Sequence, residues 1–257
     1  MSGKDLLTIG GKNFKSRLMV GTGRHKSNQE MVESIKSSGA EIITVAIGRI
    51  NLNTPDEKSI LDFFDWDSYT LLPNTAGSKT AKEAIYISEL ARELTGTNWV
   101  KLEVIPDSKY LLPDPVQTYE AAEHLVKNNF TVLPYINADP VLAKKLEDIG
   151  CATVMPLGSS IGSGNGIHTL EEIKIIIEQS NVPVVVDAGL AVPSDASIAM
   201  ETGADCVLVN TAIARASDPS LMGYAFKLGV KAGRKAYLAG RIPKVDHGKM
   251  SSPESGI

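Results

Sequence analysis

The chain has 257 residues, 43% of them hydrophobic, and a formal net charge of −4. That length fits two small domains or one large α/β barrel with a sizeable core, and the mildly acidic balance argues against a general nucleic-acid or membrane-surface binder. No apolar run approaches the ~20 residues needed to span a bilayer, and the opening MSGKDLLTIGGKNFKSRL lacks the apolar core and cleavage site of a signal peptide, so the expected location is cytoplasmic. Cys151 and Cys206 sit far apart in apolar runs and read as buried structural thiols. No CxxC pair or Cys/His spacing suggests a metal.

Taken in order, strands are expected at RLMVGTG (17–23), EIITVAI (41–47) and YTLLPNTA (69–76). A helix follows over 78–94, with Ser78 as a candidate N-cap. WVKLEVI (99–105) is the next strand; the helix over 114–129 opens with an Asp cap and Pro115 at the first helical position. FTVLPYI (130–136) precedes a helix over 138–150, which repeats the Asp-Pro device and ends in Gly. ATVMPLG (152–158), a helix over 168–180, VPVVVDAG (182–189), a helix over 193–203 and DCVLVNTA (205–212) complete the pattern. The polar tail from about residue 244 is expected to be loosely ordered.

Most of the strands are continuous apolar runs rather than strict alternations, which suits parallel strands covered on both faces. SSGAEIITVAI, DIGCATVMPLG and ETGADCVLVNT share a plan of helix end, Gly, small residue and apolar strand, as a glycine C-cap requires. Eight strand–helix units predict a single TIM (β/α)₈ barrel domain spanning 1–257, with a doubly wound open sheet as the alternative. GTGRHK (21–26) begins like a dinucleotide fingerprint but lacks its third glycine.

Active sites of such barrels lie at the C-terminal strand ends. Those ends hold Gly21–Gly23, Arg49, Asn74, Lys101–Glu103, Tyr135–Asn137, Gly158–Gly166, Asp187–Gly189, Asn210 and Thr211. If Val100, Leu102 and Val104 face helices, Lys101 and Glu103 point into the barrel. Desolvation would lower the Lys101 pKa and expose an amine able to form imines. Glu103, about 6.6 Å along the same face, is either its ion-pair partner or a proton shuttle. Asp187, closing a run of valines, suits a general acid/base facing Lys101, with helix capping as the alternative. The loop GSSIGSGNG (158–166) is either a flexible connection or a backbone nest for an anion; with Gly189, Asn210 and Thr211 it suggests a phosphorylated ligand.

VGTGR, PNTAG, VKLEVI, PLGSSIGSG, VVDAGL and GADCVLVNTAIA occur in that order from about Leu6 to the C-terminal SSP, and together they closely resemble the bacterial thiazole synthases of thiamin biosynthesis. The resemblance implies a TIM barrel enzyme with no cofactor and no metal. It would condense 1-deoxy-D-xylulose 5-phosphate with dehydroglycine (iminoacetate), taking sulfur from the C-terminal thiocarboxylate of a small ubiquitin-like sulfur-carrier protein. It further implies an imine on Lys101, acid/base roles for Glu103 and Asp187, and contacts to the phosphosugar at Gly162, Ala188, Gly189, Asn210 and Thr211. A homotetramer is implied as well. Two positions depart from the family pattern: Gly48 replaces the first of two basic residues, leaving Arg49, and Ser160 stands where proline is common. A class I aldolase-type barrel, a lysine-independent phosphosugar isomerase and a non-catalytic phosphate-binding barrel with a structural Lys101–Glu103 pair are the rival readings.

Overall fold

The computed structural model describes residues 5–49 and 59–248. The side chain of Arg49 and the part of the polar tail beyond 248 lie outside the described residues. Two three-residue strands, β1 (Leu7–Ile9) and β2 (Lys12–Phe14), pair antiparallel in an N-terminal hairpin. Eight parallel strands follow: β3 (Leu18–Gly21), β4 (Ile42–Ala46), β5 (Thr70–Asn74), β6 (Trp99–Leu102), β7 (Thr131–Ile136), β8 (Met155–Pro156), β9 (Val185–Asp187) and β10 (Cys206–Val209). Their order is β8-β7-β6-β5-β4-β3-β10-β9. Parallel bridges Val154–Val184 and Leu157–Asp187 bring the two ends together, so the sheet curls into the barrel that the repeat pattern predicts. β8 is short because Pro156 has no N–H to donate to a ladder.

Helices α1 (Asn28–Ser38), α2 (Ala81–Thr95), α3 (Pro115–Lys127), α4 (Pro140–Asp148), α5 (Leu170–Gln179), α6 (Pro193–Thr202), α7 (Thr211–Ala214) and α8 (Pro219–Ala239) connect or flank the strands. Asp114 and Asp139 cap α3 and α4 through their carboxylates, each with proline at the next position, as read from the sequence. The α2 cap differs from the expectation. Thr80, not Ser78, accepts from Glu83 N, because Ser78 is drawn into the barrel rim, where its carbonyl accepts from Ile105 N at 2.8 Å. Gly39, Gly150 and Gly203, the glycines of the repeat, have φ of 61°, 100° and 110°, which only glycine adopts without strain.

Outside the barrel, Val100, Leu102 and Val104 pack on Ala81 and Ala84 of α2 and on Ala121, Ala122 and Leu125 of α3. The opposite residues of the same strand therefore point inward. The lower barrel interior is a plug of Met19, Ile42, Leu72, Trp99, Leu133, Met155 and Val185, closed from below by Leu7, Ile9 and Phe14 of the hairpin. With this end sealed, the described residues leave the barrel open to ligands at its C-terminal end. α8 lies against both α1 and α6; a β-carbon on Gly223 or Gly229 would come within 2.6 Å of Ser34 O or 2.7 Å of Pro193 O.

Candidate active site

β6 places Trp99 in the plug and Lys101 one layer above it. In register, Lys101 sits between Asn74 and Leu133. The chain beyond β6 stays extended because the preceding loop grips it. Thr75 Oγ1 donates to Glu103 O at 2.7 Å and accepts from Glu103 N at 2.8 Å, while Thr75 N donates to Lys101 O at 3.2 Å. Thr75 thereby fixes the backbone from which Glu103 projects. Sequence reasoning missed it, although it lies within PNTAG. Asp187 ends β9 opposite, its carbonyl accepting from Gly158 N at 2.8 Å.

These placements converge. Lys101 Nζ lies 2.5 Å from Asp187 Oδ2 and 3.5 Å from Glu103 Oε1. Lys101, Glu103 and Asp187 are only 4, 6 and 3% exposed, so the charges interact with little screening. Burial by itself would pull the Lys101 ammonium down. The ion pairs with Asp187 and Glu103 outweigh it, and the group is held above the ordinary lysine value. The expectation of a lowered pKa is therefore corrected: the resting lysine is protonated because two carboxylates face it. Above the triad stand Tyr135, Ile105 and Leu157. Burial first, and then the charges of Asp187 and Glu103, push the Tyr135 phenol well up, so it stays neutral 5.7 Å, at its ring centre, from Nζ.

The triad faces a cavity of about 870 Å³, which is lined by every contact and catalytic residue that the resemblance implies: Gly162, Ala188, Gly189, Asn210 and Thr211 as well as the three charged residues. The Gly158–Gly166 loop is pinned by hydrogen bonds within the rim. Ser159 Oγ donates to Gly166 O at 2.8 Å, Gly166 N donates to Gly189 O at 2.9 Å and Thr169 Oγ1 donates to Leu157 O at 2.6 Å. Ala188 and Gly189 both have positive φ, 61° and 79°. A β-carbon on Gly189 would overlap Ser159 Oγ and come within 2.7 Å of Ser159 N. This turn therefore accepts only glycine at its second position, and it brings bare backbone to the cavity wall, the form suited to an anion.

The Asn210 side chain has partners within the chain at the cavity wall. Oriented as its surroundings require, its amide donates to Gly23 O at 2.8 Å and Gly21 O at 3.2 Å, which ties the β3 end to the β10 end. Asn210 and Thr211 also belong not to the last strand but to the start of α7. Gly48 faces α2, with Ile87 Cδ1 3.7 Å from the position of a β-carbon, so the residue that departs from the family pattern is turned away from the cavity. Arg24, Lys79 and Arg215 line the cavity. Of these, Arg24 was legible only as part of VGTGR. Among the described residues no cluster of His, Cys, Asp and Glu could hold a metal, and no helix is long and apolar enough to cross a membrane.

The family model for thiazole biosynthesis protein ThiG matches residues 8–253. The chain belongs to the thiazole synthase family. Its enzymes act in thiamin thiazole synthesis. A thiazole synthase of Prochlorococcus marinus (strain MIT 9301) is 59% identical, covering 98% of this chain and 97% of the relative. One from Synechococcus sp. (strain ATCC 27144 / PCC 6301 / SAUG 1402/1) is 54% identical over 98% of this chain and 94% of its own. Among solved structures, the Amycolatopsis orientalis BexX/CysO complex superposes with a TM-score of 0.84 at 31% identity, covering 94% of this chain and 98% of that one.

Proposed function

We propose that this thiazole synthase works through an imine between Lys101 and the ketone of 1-deoxy-D-xylulose 5-phosphate. The observation that carries the reading is the buried contact of the Lys101 ammonium with two carboxylates at the floor of a cavity whose wall is exposed backbone. With all three groups ionised the triad has a net charge of −1. Transfer of one proton from Nζ to Asp187 leaves that total unchanged and frees the amine. The amine adds to the ketone carbon and passes one of its own protons to the oxygen, Asp187 returns the proton it took to the same oxygen, and water leaves as the protonated C=N bond forms. The imine acidifies the adjacent carbon, and Glu103, held by Thr75, and Asp187, ionised again once its proton has left in water, are the acid/base pair for the proton transfers that follow.

Dehydroglycine and sulfur then complete the ring, with sulfur arriving as the C-terminal thiocarboxylate of a small sulfur-carrier protein inserted through the open barrel end. The size of the cavity supports this, as does the capture of BexX, a 31% identical neighbour, in complex with a second protein. The homotetramer implied by the family resemblance and the cytoplasmic location expected from the sequence are part of the same reading. Leu221, Tyr224 and Leu228, exposed along one side of α8, offer an apolar surface for assembly.

The test is borohydride reduction in the presence of deoxyxylulose phosphate, followed by intact mass and peptide mapping. A permanent adduct on Lys101, absent from Lys101→Ala, is expected. No adduct, or the same adduct in Lys101→Ala, removes the mechanism. In Asp187→Ala the imine should still form while later proton transfers slow strongly; unchanged turnover would exclude Asp187.

A further inference from the structure

The charges around the cavity do not balance for the substrate proposed above. Glu103 and Asp187 already occupy Lys101, and a phosphate ester adds about −1.5 to −2 at neutral pH. Backbone N–H groups of the Ala188–Gly189 turn can donate hydrogen bonds to it, but they carry no net charge. Among the described lining residues, the remaining cations are Arg24, Lys79 and Arg215. Lys79 follows β5, the neighbour of β6, and so belongs to the Lys101 side. The backbone cradle arises instead from the ends of β8, β9 and β10; Arg215 caps the C-terminal end of α7, a full turn beyond Thr211, whereas β3, which leads to Arg24, is the direct neighbour of β10.

Arg24 has a second distinction: its φ is 76°. An L-residue with a long side chain is disfavoured in the left-handed region by roughly 1–2 kcal/mol, so such a conformation persists only where the surroundings over-determine it. They do so here. Thr22 N and Oγ1 both donate to Thr44 O at 3.2 Å. Asn210 ties Gly21 O and Gly23 O. On the far side, His25 Nε2 is 2.9 Å from Ser34 Oγ and its Nδ1 is 3.4 Å from Thr22 O. The loop is fastened before and after Arg24, through Asn210, to the turn that carries Thr211. The guanidinium is exposed at the cavity rim and pairs with no carboxylate among the described residues.

We infer that Arg24 is the cation that holds the substrate phosphate, its strained backbone aiming a bidentate guanidinium over the Ala188–Gly189 and Thr211 cradle. This rests on the phosphosugar reading of the site. A planar fork of N–H donors matches phosphate oxygens and supplies the charge that the cradle lacks. His25 and Asn210 are positioning residues for it.

The test uses the full chain with Arg24→Gly, which relieves the backbone strain while removing the charge, and Arg24→Lys. Calorimetric binding of deoxyxylulose 5-phosphate, which does not require the imine, should weaken about 10- to 100-fold in Arg24→Gly and recover in part in Arg24→Lys. An unchanged Kd, or Arg24→Lys binding no better than Arg24→Gly, overturns the assignment. In a second arm, unphosphorylated deoxyxylulose is trapped with borohydride, and wild type and Arg24→Gly should react equally; a parallel loss there overturns it too. If wild type traps neither sugar while the calorimetric differences hold, the imine reading fails and the phosphate assignment stands.

Discussion

The resting charge state of Lys101 depends on two carboxylates at unequal distances, so removing them one at a time should lower its pKa by unequal amounts. At an effective dielectric of about 20, unit charges at the observed 2.5 and 3.5 Å attract by about 7 and 5 kcal/mol. The neutral amides of Asp187→Asn and Glu103→Gln keep part of that as a dipole, and the site relaxes. The surviving difference still lowers the Lys101 pKa in each variant. The distances give Asp187 the larger share, by a factor of about 1.4 on the same Coulomb estimate. The assay is the initial rate of borohydride-trapped imine on Lys101 as a function of pH, at saturating sugar phosphate. Since the free amine is the reactive form, the rate rises with pH through the apparent pKa of the coupled site. Its midpoint should fall in the order wild type, Glu103→Gln, Asp187→Asn, so that the Asp187 variant forms imine at the lowest pH while failing in later proton transfers. Coincident midpoints, or Glu103→Gln shifted further than Asp187→Asn, would refute the electrostatic account of the triad.

Gly189→Ala should lower stability by about 2–4 kcal/mol, from the left-handed φ and the overlap with Ser159 together. A thermal melt should show a fall of about 5–15 °C, with loss of sugar phosphate binding. Phe14→Ala, which empties the hairpin side of the plug against Trp99, should cost about 3–5 kcal/mol in denaturant unfolding yet leave the pH profile of trapping unmoved. Asp5 is drawn from 3.8 down to about 2 by hydrogen bonds and charge from Arg234 and Arg17. Its side chain is 36% exposed, and solvent screening leaves about 1 kcal/mol. That contribution is present above about pH 4 and lost as pH falls towards 2, so the stability curves of wild type and Asp5→Asn should converge there. Burial pushes the Cys151 thiol up to about 12 and the Cys206 thiol up as well; both should be silent to a thiol reagent at pH 8 and react only on unfolding.

The eight barrel strands were legible because parallel strands covered on both faces leave continuous apolar runs, and the inward aim of Lys101 followed from the alternation around Val100 and Leu102. The N-terminal hairpin was not read, although its Gly10–Gly11 turn, at φ 53° and 78°, is a recognised hairpin signal; strands of three residues leave too short a pattern to stand out. The end of α1 was read at Gly39, but its start at the Ser27 cap was passed over. α8 was hidden for a better reason. Its glycines lower helix propensity, and they are there because α1 and α6 approach so closely that a β-carbon would meet their carbonyls. That is a tertiary fact with no local trace.

The same division holds in the active site. Which residues gather at the barrel's open end followed from sequence order alone, since every strand end of a parallel barrel faces the same side. Their states did not. The Lys101 charge is set by distances to Asp187 and Glu103 from two non-adjacent strands, and Asn210 spends its side-chain donors on glycine carbonyls at the other end of the sequence, on the neighbouring strand end. Arg24 acquires its importance from a backbone angle. Electrostatic and hydrogen-bond energies depend on separations of a few ångströms between segments far apart in the chain, and only the folded barrel sets those separations.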